Sequence, residues 1–179
     1  MAIRALPDVA YLRECLDYDP ATGEFRWCVR PQSHFHDPLR CRMWNGRYAG
    51  KLAGWFNPFG HHMIAFGRLA TMSHRIAWAM TYGEPVPGEI DHIDGNPGNN
   101  CITNLRAATR ADNQANKGPR PDSRLGVKGV ALRKSGRFAA YIRRHDKRYW
   151  IGTFDTIEEA AAAHRDAAER LHGKFARHS

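Results

Sequence analysis

Residues 90–113 read Ile90-Asp91-His92-Ile93-Asp94-Gly95-Asn96-Pro97-Gly98-Asn99-Asn100-Cys101-Ile102-Thr103-Asn104-Leu105-Arg106-Ala107-Ala108-Thr109-Arg110-Ala111-Asp112-Asn113. After Ile90 the chain becomes a polar loop, Asp94 to Asn100, rich in Gly, Pro and Asn. A short segment at Leu105-Arg106-Ala107 follows, and Thr109 is of the type that caps a helix over Arg110 to Lys117. The order is strand, strand, helix. Adjacent residues of a regular strand point to opposite faces, and at a frayed end they diverge, so Asp91 can face an ion while His92 faces a water. A helix packed behind the hairpin would bring Asn113 to the same ion.

That set suits phosphodiester hydrolysis, which needs a water, a base for its proton, and positive charge against a phosphorane-like transition state. Histidine, with a reference pKa near 6.5, serves as the base, and aspartate and asparagine oxygens suit Mg²⁺ or Mn²⁺. Ordinary turn chemistry is the alternative reading of the asparagines.

Upstream, Leu12 to Leu16 reads as a short helix, Asp19 to Gly23 as a turn and Glu24 to Val29 as a strand. A strand at His62 to Phe66 leads to a helix from His74 to Tyr82, capped by Ser73 and ended by Pro85 and Pro87. His74 reads as a capping or packing residue, and His34, His36, His61 and His62 as surface or fold residues. Downstream, Lys117 to Ser123 has linker composition. Gly129 to Leu132, Arg137 to Arg143 and Tyr149 to Phe154 then read as three strands, with turns at Ser135-Gly136 and His145-Asp146. The last helix has Thr156 and Glu159 at capping-box spacing, Gly173 at its end, and a stripe of Ile157, Ala160, His164, Ala167 and Leu171. Its alanines allow close packing on the strands, which leaves the opposite sheet face open.

The charge is concentrated in the same segment. Of the net +9, residues 1–118 carry 13 Lys and Arg against 11 Asp and Glu, and residues 119–179 carry 14 against 7. Basic residues interleaved with Phe138, Tyr141, Tyr149 and Trp150 point to a nucleic-acid face. Four cysteines without a C-x-x-C pair write neither a zinc ribbon nor a disulfide framework. No run approaches the roughly 18 apolar residues of a membrane helix, and the first residues lack the apolar run of a signal peptide. A soluble cytoplasmic protein is the expectation.

Residues of about 10 to 118 resemble the HNH endonucleases of phage and homing type. The motifs are Tyr18-Asp19-Pro20-Ala21-Thr22-Gly23-Glu24-Phe25-Arg26-Trp27, His74-Arg75-Ile76-Ala77-Trp78, Asp91 to Asn96, Asn99-Asn100, Asn104-Leu105-Arg106 and Asn113. The resemblance implies a ββα-metal core with His92 as general base, Asp91 and Asn113 as metal ligands and Asn104 holding the loop. Residues 125–179 resemble the APETALA or ethylene-responsive-factor DNA-binding domain, through Val127-Lys128-Gly129-Val130, Gly136 to Ala140, Trp150 to Phe154 and Glu158 to Ala161. Its carried-over DNA contacts are Lys128, Arg133, Arg143, Arg148 and Trp150. Ala131, Ser135 and Tyr141 stand where plant members have arginine, tryptophan and glutamate, so the plant target sequence does not carry over.

The expected fold class is α+β. A strand-rich unit (1–72), an HNH core (73–118) and a linker (119–124) precede a three-stranded antiparallel sheet packed on one helix (125–179). The expected function is a divalent-metal-dependent endonuclease on duplex DNA, acting as a monomeric nickase or homing-type enzyme, with no membrane and no small-molecule substrate. A DNA-binding regulator with an inactive HNH core is the alternative, and an RNA-binding accessory protein a third.

Overall fold

The computed structural model describes residues 5–83, 86–119, 123–144 and 147–177. It forms two compact units, Met1–Ala107 and Ala108–Ser179. Among the described residues no helix is long and apolar enough to cross a membrane.

In the first unit Asp8 caps α1 (Val9–Cys15), its carboxylate accepting from the Ala10 N–H at 2.7 Å. Strands β1 (Leu16–Tyr18) and β2 (Phe25–Trp27) pair antiparallel, Leu16 opposite Trp27 and Tyr18 opposite Phe25. Their turn is closed by Asp19, which accepts from Ala21 N–H at 2.9 Å and Thr22 hydroxyl at 2.7 Å. Helix α2 (Pro38–Tyr48) was not expected from the sequence; it buries only Cys41. It is anchored by the Asn45 amide, which bonds both the N–H and the carbonyl of Arg30 at 2.9 Å, and by Trp44, whose ring lies 4.9 Å from the Arg30 guanidinium carbon.

Strands β3 (Trp55–Phe56), β4 (His62–Phe66) and β5 (Leu69–Met72) form an antiparallel sheet in that order. Helix α3 (Ser73–Tyr82) begins one residue earlier than expected, with Met72 at the cap position. Ser73 is thus inside the helix, its hydroxyl 2.7 Å from His62 Nδ1. The helix ends on Gly83, whose positive φ of 67° closes it ahead of the prolines. Pro85 lies outside the described residues. Strands β6 (Glu89–His92) and β7 (Leu105–Ala108) pair with each other and frame the polar loop.

The core of the first unit runs across residue 72, where a boundary was expected. Leu12, Leu16 and Phe25 from the N-terminal segment, Ile64 from β4, Ile76 from α3, Ile90 from β6 and Leu105 from β7 are all buried in one cluster. Each contributes about 1.5–3 kcal/mol when fully buried. The β1–β2 turn also braces the loop: Tyr18 hydroxyl donates to Asn100 O at 2.7 Å, and Ile102 N–H to Pro20 O at 3.0 Å. Gly23 makes this approach feasible, since a Cβ there would stand 2.5 Å from the Asn100 carbonyl carbon and Cys101 nitrogen.

The second unit opens with α4 (Arg110–Asn116), held by a capping box of Thr109 and Asp112. Strands β8 (Val130–Leu132), β9 (Phe138–Arg144) and β10 (Lys147–Phe154) form an antiparallel sheet with β9 central. Helix α5 (Ile157–His172), with the expected Thr156–Glu159 capping box, covers one face through Ala160, His164 and Ala168. Gly129, at φ 72°, lets the His164 ring approach; a Cβ there would lie 2.2 Å from the ring. Helix α4 packs on α5 and on the turn Gly173–Phe175. By packing, α4 falls in the second unit, and residues 120–122 of the linker expected at 119–124 lie outside the described residues. The turn expected at His145-Asp146 lies outside the described residues.

Candidate active site and DNA-binding face

Asp91 and His92 end β6, and both are buried, 6% and 7% exposed. Their side chains diverge. Asp91 meets Arg106 of the paired strand β7, which donates Nε at 2.8 Å and Nη2 at 2.6 Å to the same carboxylate oxygen. His92 turns to a cluster of imidazoles. His74 from α3 stands nearly perpendicular to it at 5.1 Å between ring centres, and His61, just before β4, lies 6.5 Å away.

Burial pushes the His92 imidazole below its ordinary pKa, against the opposing pull of the Asn100 hydrogen bond and of Asp94 and Asp91. His74 is pushed down to about 3, by burial first and then by His92, His61 and Arg75. His61 is lowered by burial and by His92. His92 Nε2 lies 3.3 Å from Asn100 Oδ1, and the Asn100 amide nitrogen donates to Gly98 O at 3.4 Å, which fixes the amide orientation. Amide oxygen only accepts, so His92 donates from Nε2 and keeps its lone pair on Nδ1. A neutral imidazole with that tautomer is equipped to take a proton.

Asn104 ends the short turn Ile102–Asn104 just before β7 and ties the loop together. Its amide oxygen accepts from Asp94 N–H at 3.0 Å, and its nitrogen donates to Asp94 Oδ1 at 3.0 Å and to Asn99 O at 2.9 Å. Burial pushes the Asp94 carboxyl up, but the donors of Asn96, Asn99 and Asn104 together outweigh it and hold it below its usual value. The loop that follows His92 is thus tied back on itself. Asn113 is carried by α4 in the second unit.

A family model described as HNH endonuclease matches residues 72–115, and one described as AP2 domain matches 125–174. Protein 3.8 of Escherichia phage T7 is 33% identical over 111 residues, 60% of this chain and 90% of that protein. The chain belongs to the HNH endonuclease family. An uncharacterized HNH endonuclease of Acanthamoeba polyphaga mimivirus is 32% identical over 124 residues, 68% of this chain and 64% of that one. The C-terminal part of this HNH-family chain is similar to ethylene-responsive transcription factor LEP of Arabidopsis thaliana, 47% identical over 60 residues. That match covers 31% of this chain and only 28% of the plant factor, so the likeness is to one module. No solved structure matches the chain significantly.

The AP2 module has the open face that its sequence required. Arg143 on β9 stands opposite Arg148 on β10, and Tyr141 opposite Trp150. Ala140 and Ile142 alternate with them and are buried on the α5 side. Trp150 is 62% exposed, and the Arg148 guanidinium lies 4.3 Å over the Tyr141 ring. Arg133 follows β8, exposed at the turn. Lys128 departs from the expectation. Its ammonium donates to the Ala115 carbonyl in the last turn of α4, a favourable place for a cation, and burial followed by the charge of Arg177 pushes its pKa down to about 8. It serves the packing of the module rather than its open face.

Three residues that meet Asp91 or His92 were given no role of their own by the sequence: Arg106, Asn100 and His61. Arg106 and Asn100 belong to the motifs of the resemblance, and β-pairing and the loop's return give them roles that linear order does not express. His61 reaches His92 only through the tertiary fold.

Proposed function

We propose that this chain is a divalent-metal-dependent endonuclease that hydrolyses a phosphodiester bond of duplex DNA, with His92 as general base and the AP2 module as the docking element. The observation that carries the reading is the pair at the end of β6: a buried carboxylate facing one way, and beside it a neutral imidazole oriented by Asn100. In the reaction His92 Nδ1 takes the proton of a water as its oxygen bonds phosphorus, and the P–O bond to the departing sugar oxygen breaks. Asn104 holds the loop that orients Asn100, and thereby the imidazole.

The oxygen donor of Asp91 fits a hard cation such as Mg²⁺ or Mn²⁺, and its carboxylate is already matched to positive charge by Arg106. Asp91 would hold the ion, with Asn113 as the second protein ligand implied by the family resemblance. Such an ion, when bound, supplies positive charge against the transition state and the departing oxygen. One nuclease centre per chain makes a nick the natural product of a monomer, and DNA in the cytoplasm of a bacterial host the natural substrate. Tethering the module raises local concentration at the cut site, and its arginines give salt-dependent affinity.

The test is supercoiled plasmid incubated with wild type and with His92→Ala, in Mg²⁺, in Mn²⁺ and in chelator. Wild type is expected to cut only with metal, and relaxed against linear product reports the number of strands cut. His92→Ala is expected to cut at least ~100-fold more slowly while still binding DNA. Equal cutting by both proteins would overturn the assignment. The Asp91–Arg106 ion pair favours a second reading, a DNA-binding regulator whose carboxylate is kept by arginine; that reading requires binding without cutting in either metal.

A further inference from the structure

The β3–β4 hairpin carries three aromatic side chains into solvent: Trp55 at 47%, Phe56 at 64% and Phe59 at 80% exposure. Burying such rings is the ordinary outcome of folding, and a cluster of exposed ones marks a contact surface. The tip that displays them is preformed. Asn57 Oδ1 accepts from Phe59 N–H at 2.9 Å and His61 N–H at 3.0 Å, Gly60 N–H donates to Asn57 O at 3.0 Å, and Pro58 stiffens the turn. Phe59 is thus held outward before any partner arrives, which lowers the entropy lost on contact.

The hairpin also adjoins the nuclease loop. A Cβ on Gly98 would stand 3.0 Å from the Phe56 ring and 3.5 Å from Gly60 O, and one on Gly60 would meet Pro97 at 3.3 Å. His61, two residues past Phe59, has its ring 6.5 Å from that of His92. Two residues of chain span at most about 7 Å, so the exposed tip lies within a few base steps of any phosphate at His92. From Leu52 to Gly67 there is no Asp or Glu to repel a phosphate backbone and no Lys or Arg to attract one. This surface offers flat apolar rings without charge, the chemistry that meets a base rather than a backbone.

We propose that the Trp55–Phe59 tip stacks on or between nucleobases flanking the scissile phosphate, with Phe59 as the leading ring. The proposal rests on the reading that His92 marks the cut site. Exposed phenylalanine wedges act this way in DNA generally, partly unstacking a base step in exchange for stacking on the ring. An unpaired step offers the ring a base whose unstacking is already accomplished.

Two probes test it: a fluorescein-labelled fully paired duplex, and the same duplex with a central mismatch bubble. Anisotropy titrations in chelator with wild type, Phe59→Ala and Phe59→Trp read binding without cutting. Wild type is expected to prefer the bubble, Phe59→Ala to lose roughly 5- to 100-fold in bubble affinity with little change on the paired duplex, and Phe59→Trp to retain the preference. Absence of the preference in wild type, or its survival in Phe59→Ala, overturns the proposal. So does a wild-type dimer that Phe59→Ala dissociates in sedimentation, which would assign the tip to a second copy of the chain. Plasmid cutting in Mg²⁺ by the same preparations tests the nuclease reading separately, because the binding preference does not depend on cleavage.

Discussion

Acid should weaken the first unit, and a single histidine, His74, sets about 2 kcal/mol of the loss. His74 is 7% exposed, faces His61, His92 and Arg75, and is pushed down to about 3, so the folded state refuses a proton that the unfolded chain accepts below about 6.5. A depressed histidine contributes stability that is present above the unfolded value and is lost as pH falls from 6.5 towards 3. Between pH ~8 and pH ~5 the unfolded imidazole gains a proton with a free energy of about 2 kcal/mol, while the folded one stays neutral, so stability falls by that amount. Four of the five tryptophans, Trp27, Trp44, Trp55 and Trp78, lie in this unit, so fluorescence-detected urea unfolding of a Trp150→Phe protein reports it alone. His74→Gln in that background should reduce the loss between the two pH values by about 2 kcal/mol. A residual pH dependence will remain, because burial also lowers His61, His62 and His92. An unchanged pH dependence in His74→Gln would refute the argument that this imidazole is held neutral.

Four further variants have defined outcomes. Asn104→Ala removes three hydrogen bonds from the loop, about 3 kcal/mol in all, so amide exchange at Asp94 and its neighbours should quicken about a hundredfold, and cutting should fall while sheet affinity holds. Arg143→Ala should weaken DNA binding and lower the slope of log affinity against log salt by about 1, with metal-dependent cutting of bound DNA preserved. Gly129→Ala should cost about 2–5 kcal/mol in thermal or urea denaturation, because a Cβ strikes the His164 ring and the backbone is left-handed. Gly136→Ala, left-handed but with nothing within 4 Å, should cost only about 1–2 kcal/mol.

Local signals in the sequence were strong where the structure is local. The capping boxes at Thr109 and Thr156, the Ser135-Gly136 turn and the alternation along Phe138 to Arg144 each depend on residues a few positions apart, and each forms as its chemistry dictates. Asp91 and His92 were legible for the same reason, since a strand end next to a polar loop lets neighbours diverge. Helix α2 was not, because only Cys41 is buried on it and no apolar period marks it; what holds it is Arg30, reached through Asn45 and Trp44. Arg106 and His61 acquire their roles from β-pairing and from the fold of the hairpin. The packing partner of α4 was illegible for a related cause. Pro and Gly mark where a chain turns, whereas the units are divided by which surfaces bury each other, and α4 is buried by α5.

The assignment of α4 to the second unit has a practical meaning for anyone building hybrids of this enzyme. A fragment ending after Lys117 would keep every letter of the nuclease motif yet strip Ala115 and Asn116, both buried, of the α5 and Gly173–Phe175 surface against which α4 packs, and the Ala115 carbonyl of its Lys128 donor. A graft that keeps Asn113 must therefore keep α4, and a foreign recognition head must bring its own surface to support that helix.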